Sequence, residues 1–176
     1  MMKLQADVSD IDTGEVPRDS RAGDMQDALR SLQDFDRLKG RIYEEQQWRA
    51  NREGAHLLIL EFEKAFIKRL ESLGLPFFAH CVVRTRQQQK KEFEEGHSKN
   101  DGSKPFPHDG TAVDIIHSKY GWNLSKDQWK IIIHIGKEVA KVRGIDITNG
   151  ADFKGLYDPA HWQLTEWRER QKELLR

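Results

Sequence analysis

His108-Asp109-Gly110-Thr111-Ala112-Val113-Asp114 is the stretch on which the fold turns. Its second half runs on as Ala112 to His117, a short apolar and β-branched run that reads as a buried strand. Its first half cannot stay extended if its two ends are to meet, because His108 and Asp114 would then stand about 20 Å apart. Asp109-Gly110 is a turn dipeptide and supplies the bend. An imidazole and a carboxylate are therefore brought toward one another at the mouth of a strand. Further on, Asp158-Pro159-Ala160-His161 offers a second acid and a second imidazole. Pro159 keeps Asp158 out of the helical region, so this is a bent approach to a strand and not one turn of a helix.

The flanks organise around these two segments. Leu57, Leu58, Leu60, Ala65, Phe66, Leu70 and Leu73 form a helical stripe closed by Gly74 and Pro76. Phe77 to Arg84 reads as a strand, with Phe78, His80, Val82 and Arg84 on one face. Thr85 and Gln88 have capping-box spacing and start a short helix that stops near Gly96; Ser125 and Gln128 start another that ends at Gly144. His97 to Pro107 is a loop. Ile145 to Thr148 and Trp162 to Leu164 are candidate strands, and Thr165 to Arg176 is a charged terminal helix. Before all of this, Met25 to about Arg52 has apolar residues at helical spacing and predicts an amphipathic helix interrupted or weakened at Gly40. Residues 1–24 have too little apolar content to repay ordering and read as a disordered arm. The expected division is arm 1–24, N-terminal helix 25–53 and domain 54–176, with an α+β fold because helices and short strands mix without regular βαβ alternation.

Composition narrows the function classes. Lys+Arg and Asp+Glu balance at 29 each, which removes the electrostatic footprint of a nucleic-acid or anionic-membrane binder. A single cysteine, Cys81, excludes a disulfide framework and any zinc site built on paired cysteines. No leader-like apolar segment and no membrane-spanning run occur, so the expectation is a soluble product made in the cytoplasm without a signal peptide, without membrane insertion, and monomeric.

The chemistry-bearing residues are hard ligands. A catalytic zinc takes three protein ligands of His and carboxylate type and leaves the fourth position to water. His108, Asp114 and His161 can supply that set, with Asp158 off the metal as a proton acceptor and Arg84 as the stabiliser of a developing oxyanion. On spacing alone, ordinary polar loop and strand residues are the commoner reading of each piece.

The pieces in this order resemble a known family: the zinc D-alanyl-D-alanine peptidases and L-alanyl-D-glutamate endopeptidases, which share a fold with the hedgehog signalling domain. The matching residues are Arg84-Thr85 with Gln89, His108-x-x-Gly110-x-Ala112-x-Asp114, Gly150, Asp152-Phe153, and Asp158-Pro-Ala-His161-Trp-Gln-Leu164. They span about residues 57–164. The resemblance implies a small antiparallel sheet flanked by helices and one catalytic Zn2+ on His108, Asp114 and His161. It also implies Asp158 as base, Arg84 at the transition state and Gln89 at the substrate. The substrate it implies is the peptidoglycan stem peptide, with an Asp base resembling the endopeptidase branch of phage lysins or virion-associated enzymes that act on the cell wall. Two departures stand out: Phe106 replaces the usual Ser two residues before the first His, and Asn149 with Ala151 replaces a Trp and a Gly. Two other functions remain open, a wall-binding module with a structural zinc and no turnover, and a D-Ala-D-Ala dipeptidase or carboxypeptidase.

The remaining histidines and tryptophans have plainer readings. Strand alternation sends His80 and Cys81 to opposite faces in structural roles, His117 points away from Asp114, and His134 faces away from its helix's apolar side. His56 and His97 read as solvated. Of Trp48, Trp122, Trp129, Trp162 and Trp167, most read as core or interface residues and a sugar platform is the rarer use.

Overall fold

The computed structural model describes residues 25–175; the expected arm, 1–24, lies outside the described residues. Six helices are present among them: α1 (Met25–Leu32), α2 (Arg41–Gln47), α3 (Leu57–Ser72), α4 (Arg86–Glu94), α5 (Lys126–Arg143) and α6 (Trp167–Leu174). Four strands, β1 (Phe77–Cys81), β2 (Ala112–His117), β3 (Ile147–Gly150) and β4 (Asp158–Leu164), form one antiparallel sheet in the order β1-β2-β4-β3. The fold is α+β, with a small antiparallel sheet, as expected.

One face of the sheet is the core. Val113 pairs with Trp162 across β2 and β4, and the Trp162 ring packs on Phe62 and Phe66 of α3 at 5.3 and 5.2 Å. Gly136 of α5 presses against the same indole so closely that a Cβ there would overlap it, an overpacking that costs about 1–3 kcal/mol. Alternation then puts the next pair, Asp114 and His161, on the opposite face. Burying Trp162 is thus what aims the polar pair outward.

Both capping boxes form as the spacing predicts: Thr85 and Gln88 start α4, and Ser125 and Gln128 start α5, whose end is the left-handed Gly144. The N-terminal helix expected over 25–53 is interrupted at Gly40, and it breaks a second time, after Leu32, where no break was expected. It breaks into α1, a 3-10 turn at Arg37–Lys39, and α2. The cause is tertiary: the Asp34 N–H donates to the Gly74 carbonyl at 2.8 Å, the Asp34 carboxylate caps the Arg37 N–H, and the Phe35 ring lies on Gly74. The chain turns around the end of α3, and Gly40 is extended at φ −85° and ψ 148°.

His56, expected to be solvated, is buried. Its Nδ1 accepts from the Leu58 N–H to cap α3, while Nε2 meets Glu173 of α6 at 3.0 Å. Its backbone N–H donates to the Gly110 carbonyl at 2.8 Å. The start of α3 is thereby fastened to the turn that carries His108.

Candidate metal centre

Three groups meet on the outward face of the sheet. Asp114 sits within β2 and is paired with His161 of β4 and Cys81 of β1, so these three form a row across the strands. His108 arrives from the preceding loop. The bend expected at Asp109-Gly110 is there, with the Asp109 N–H bonded to Phe106 O, Thr111 N–H to Pro107 O, and Gly110 at φ +95°. The Arg84 N–H holds the His108 carbonyl at 2.8 Å, and Gln171 of α6 donates to Phe106 O at 2.6 Å, so the loop is held on two sides.

The geometry is a triangle of ligand-type atoms. His108 Nε2 is 3.0 Å from Asp114 Oδ1, His161 Nδ1 is 3.0 Å from the same oxygen, and the two nitrogens are 3.2 Å apart. The opposite ring atoms fix what these nitrogens present. His108 Nδ1 donates to the Val82 carbonyl at 3.2 Å, and His161 Nε2 donates to Gln163 Oε1 at 3.0 Å. In the neutral rings both inward nitrogens therefore carry lone pairs, aimed at each other and at a carboxylate oxygen. Three converging lone pairs repel unless a cation lies among them. The centre of that triangle is about 1.8 Å from each atom, close to zinc–nitrogen and zinc–oxygen distances of about 2.0–2.2 Å, so the donor set fits zinc.

Electrostatics says the same. His108 is 5% exposed. Burial opposes charging its ring, yet the Asp114 carboxylate and the Cys81 sulfur outweigh burial and push His108 up to about 10. Asp114 is held well below the usual carboxylate range, because the His108 and His161 imidazoles outweigh its own burial. The pocket demands positive charge.

Asp158 opens β4 through an irregularity. Asn149 pairs with Trp162 and Gly150 with Asp158, so Pro159, Ala160 and His161 bulge past β3. Gly150 approaches Asp158 so closely that any Cβ would overlap the Asp158 carbonyl. Asn149, fully buried, donates from Nδ2 to the carbonyls of Pro159 and His161, both at 3.0 Å, and accepts the Ala151 N–H at 2.9 Å. This residue, which replaces the Trp of the resembling enzymes, holds the bulge that carries both Asp158 and His161. The Asp158 carboxyl is raised above its ordinary value by burial and by the Asp114 charge.

Arg84 places Nη2 3.7 Å from Asp114 Oδ2 and donates from Nη1 to Gln89 at 3.1 Å. Burial works against its charge, but Cys81, Asp114 and Glu92 hold it on. Gln89 is buried, and its amide nitrogen is spent on Ser98 and the Asn100 carbonyl. It ties Arg84 to the loop after α4.

Cys81 also lies within ligand reach of His108 and Asp114. Its Sγ approaches His108 Nδ1 at 3.5 Å, the nitrogen already turned to Val82, so the better-formed set is the one with His161. His80 is brought toward the same face: the β1 register shifts between Ala79 and Cys81, and the His80 ring contacts Phe78 and Trp122. That bulge breaks the alternation expected for His80 and Cys81. Asn149, Gln163 and His80 are the site's neighbours that sequence reasoning missed. Only Asn149 left a signal, as the residue standing where the resembling family carries a Trp.

Neither protein-family models nor curated proteins match this chain. Among solved structures, the Serratia marcescens L-Ala D-Glu endopeptidase ChiX matches with a TM-score of 0.56 and 24% identity, over 74% of this chain and 91% of that one. The two chains share a fold. The fold implied by the sequence resemblance is therefore the fold found, and the ChiX chain is matched over nearly its whole length.

Proposed function

We propose that this protein is a zinc-dependent peptidoglycan peptidase that cleaves stem peptides, at the L-Ala–D-Glu bond in the first instance. The observation that supports it is the triangle of His108 Nε2, Asp114 Oδ1 and His161 Nδ1, on a fold shared with an L-Ala D-Glu endopeptidase. A zinc held by His108, Asp114 and His161 would supply Lewis acidity and an activated water. Asp158, raised by burial and fixed by the Asn149-held bulge, takes the proton as general base and returns it to the leaving amine. Arg84, kept charged beside Asp114, neutralises the oxyanion that develops on the scissile carbonyl. Val82 O and Gln163 keep each imidazole in its ligating tautomer. Gln89 serves substrate binding by holding Arg84 in place.

The protein acts on the cell wall as a monomer, in the manner of a phage lysin or virion-associated enzyme; no described helix is long and apolar enough to cross a membrane. The deciding experiment incubates the zinc-loaded protein with purified peptidoglycan and identifies released fragments by mass spectrometry. New L-Ala carboxyl and D-Glu amino ends are expected; intact muropeptides reject the reading. Release of D-Ala instead assigns a D-Ala-D-Ala peptidase, which the free dipeptide tests separately. Cys81 within ligand reach favours one other reading, a wall-binding module whose structural zinc is closed by the thiolate. Wall binding without any release selects it.

A further inference from the structure

The proposed mechanism leaves one polar ring on the metal-bearing face without a task. His80 is the extra residue of the β1 bulge, one position before Cys81, which pairs with Asp114. Its contacts are aromatic, with Phe78 at 6.3 Å and edge-on with Trp122 at 4.8 Å; among the described residues neither ring nitrogen has a hydrogen-bond partner. The imidazole carries at least one N–H in either protonation state, so it offers a hydrogen-bond donor. Every other histidine close to the sheet spends its nitrogens on protein groups or on the ligand triangle.

Register places His80 beside the chemistry. β2 and β4 run antiparallel with Asp114 opposite His161, so Asp158, at the start of β4, lies toward the end of β2 marked by Ile116 and His117. Trp122 follows the bridge between His117 and Gly121 at that same end, and is 47% exposed. The His80 and Trp122 rings thus lie toward the end of the sheet at which β4 begins with Asp158, and the charged groups that act on the His80 ring are those of Asp114, Arg84, Glu92 and His108. Phe106, at the position where the resembling enzymes carry a hydroxyl, is buried and offers no polar side-chain atom.

Resting on the peptidase reading, we infer that His80 is a substrate-contacting residue: its imidazole N–H binds a hydrogen-bond-accepting oxygen of the stem peptide that lies against Trp122. The oxygen is either the free α-carboxylate of D-Glu or a peptide carbonyl, and the two call for the same donor. An N–H at this place adds a hydrogen-bond donor to a pocket in which the Asp114 and Asp158 carboxylates offer only acceptors.

The test uses the full zinc-loaded chain in the Asp158→Ala background, where peptide stays intact, and a synthetic stem peptide with either a free or an amidated D-Glu α-carboxyl. Affinity is read by calorimetry, and zinc content by metal analysis. Adding His80→Phe is expected to weaken binding about tenfold at unchanged zinc stoichiometry, the worth of one hydrogen bond; His80→Gln, which keeps an N–H, is expected to recover most of it. A loss confined to the free acid assigns the carboxylate, and an equal loss for both peptides assigns a carbonyl. Binding within twofold of the parent in His80→Phe, equal weakening by Phe and Gln, or no peptide binding by the parent overturns the inference. Hydrolysis by the unsubstituted protein is scored separately: binding through His80 without cleavage sinks the peptidase reading alone, and cleavage indifferent to His80 sinks this inference alone.

Discussion

Strand β2 carries a buried histidine environment at each end, and the two handle burial in opposite ways. At its far end His117 is neutral and fully satisfied: Nε2 donates to the Leu32 carbonyl at 3.1 Å, and Nδ1 accepts the N–H groups of Lys119 and Tyr120, both at 3.1 Å. Burial drives its pKa down to about 4. At the Asp114 end the outer nitrogens of His108 and His161 are satisfied and the inner ones are aimed at one another across a carboxylate. The difference is the sign of what each pocket lacks. The His117 pocket excludes a positive charge, whereas the Asp114 pocket lacks one.

The largest test of that contrast removes a corner of the triangle. Asp114→Ala is expected to abolish stoichiometric zinc binding and all stem-peptide cleavage, and to erase the zinc-dependent gain in unfolding free energy, about 4 kcal/mol at a thousandfold excess of metal over Kd. His117→Gln is expected to leave zinc content unchanged. If Asp114→Ala still binds one zinc, or His117→Gln loses it, the two ends do not differ as described. Next in size, Asp158→Asn keeps the metal and lowers turnover about 10²- to 10⁴-fold, the range of a lost general base. Metal analysis and steady-state rates on the same preparation separate these outcomes, and loss of zinc by Asp158→Asn contradicts its place off the metal.

The third test reads the other end of the strand through pH. His117 has a lower pKa folded than unfolded, so the unfolded chain binds the extra proton. The stability that follows is fully present above pH 6.5 and is lost as pH falls toward 4. With the residue 1% exposed, no solvent discount applies, and the shift corresponds to about 3 kcal/mol. Denaturant unfolding at pH 7.5 and pH 4 is expected to show the parent losing about that much more than His117→Gln. Parallel curves refute it, because carboxylates common to both proteins cancel in the comparison.

What the sequence made legible was local. The Asp109-Gly110 turn, the two capping boxes and the strand Ala112–His117 are each decided by residues within one turn of one another, and all appear where expected. The candidate ligand set was reached from donor chemistry and resemblance together, and the structure brings the three side chains to 3.0–3.2 Å of one another. What escaped was decided by distant partners. The break of the N-terminal helix after Leu32 depends on Gly74, about forty positions from Asp34 along the chain. His56 caps α3 and meets Glu173 from the far end of the sequence. The His80 bulge is a matter of β1 slipping against β2, which strand periodicity alone does not reveal.

The smallest effects lie in the groups that aim the ligands, and they discriminate best between a site built for a metal and three polar residues that happen to meet. Gln163 touches His161 through the outer nitrogen, and Asn149 bonds the carbonyls of Pro159 and His161 and the Ala151 N–H. Neither reaches an ion. If the triangle is a metal centre, Gln163→Leu frees the His161 ring to turn and to exchange its proton between nitrogens. Asn149→Ala lets the bulge relax, moving His161 and Asp158 together. Each is expected to weaken zinc about 10- to 100-fold, the usual cost of losing a partner of a metal-ligating imidazole. They should then part company in catalysis: at saturating zinc Gln163→Leu recovers most of its turnover, while Asn149→Ala does not, because its bulge also carries the base. Competition with a fluorescent chelator measures the first quantity and peptide hydrolysis at high zinc the second. Identical recovery of both variants means that Asn149 serves the fold of the β3–β4 turn and has no hold on Asp158.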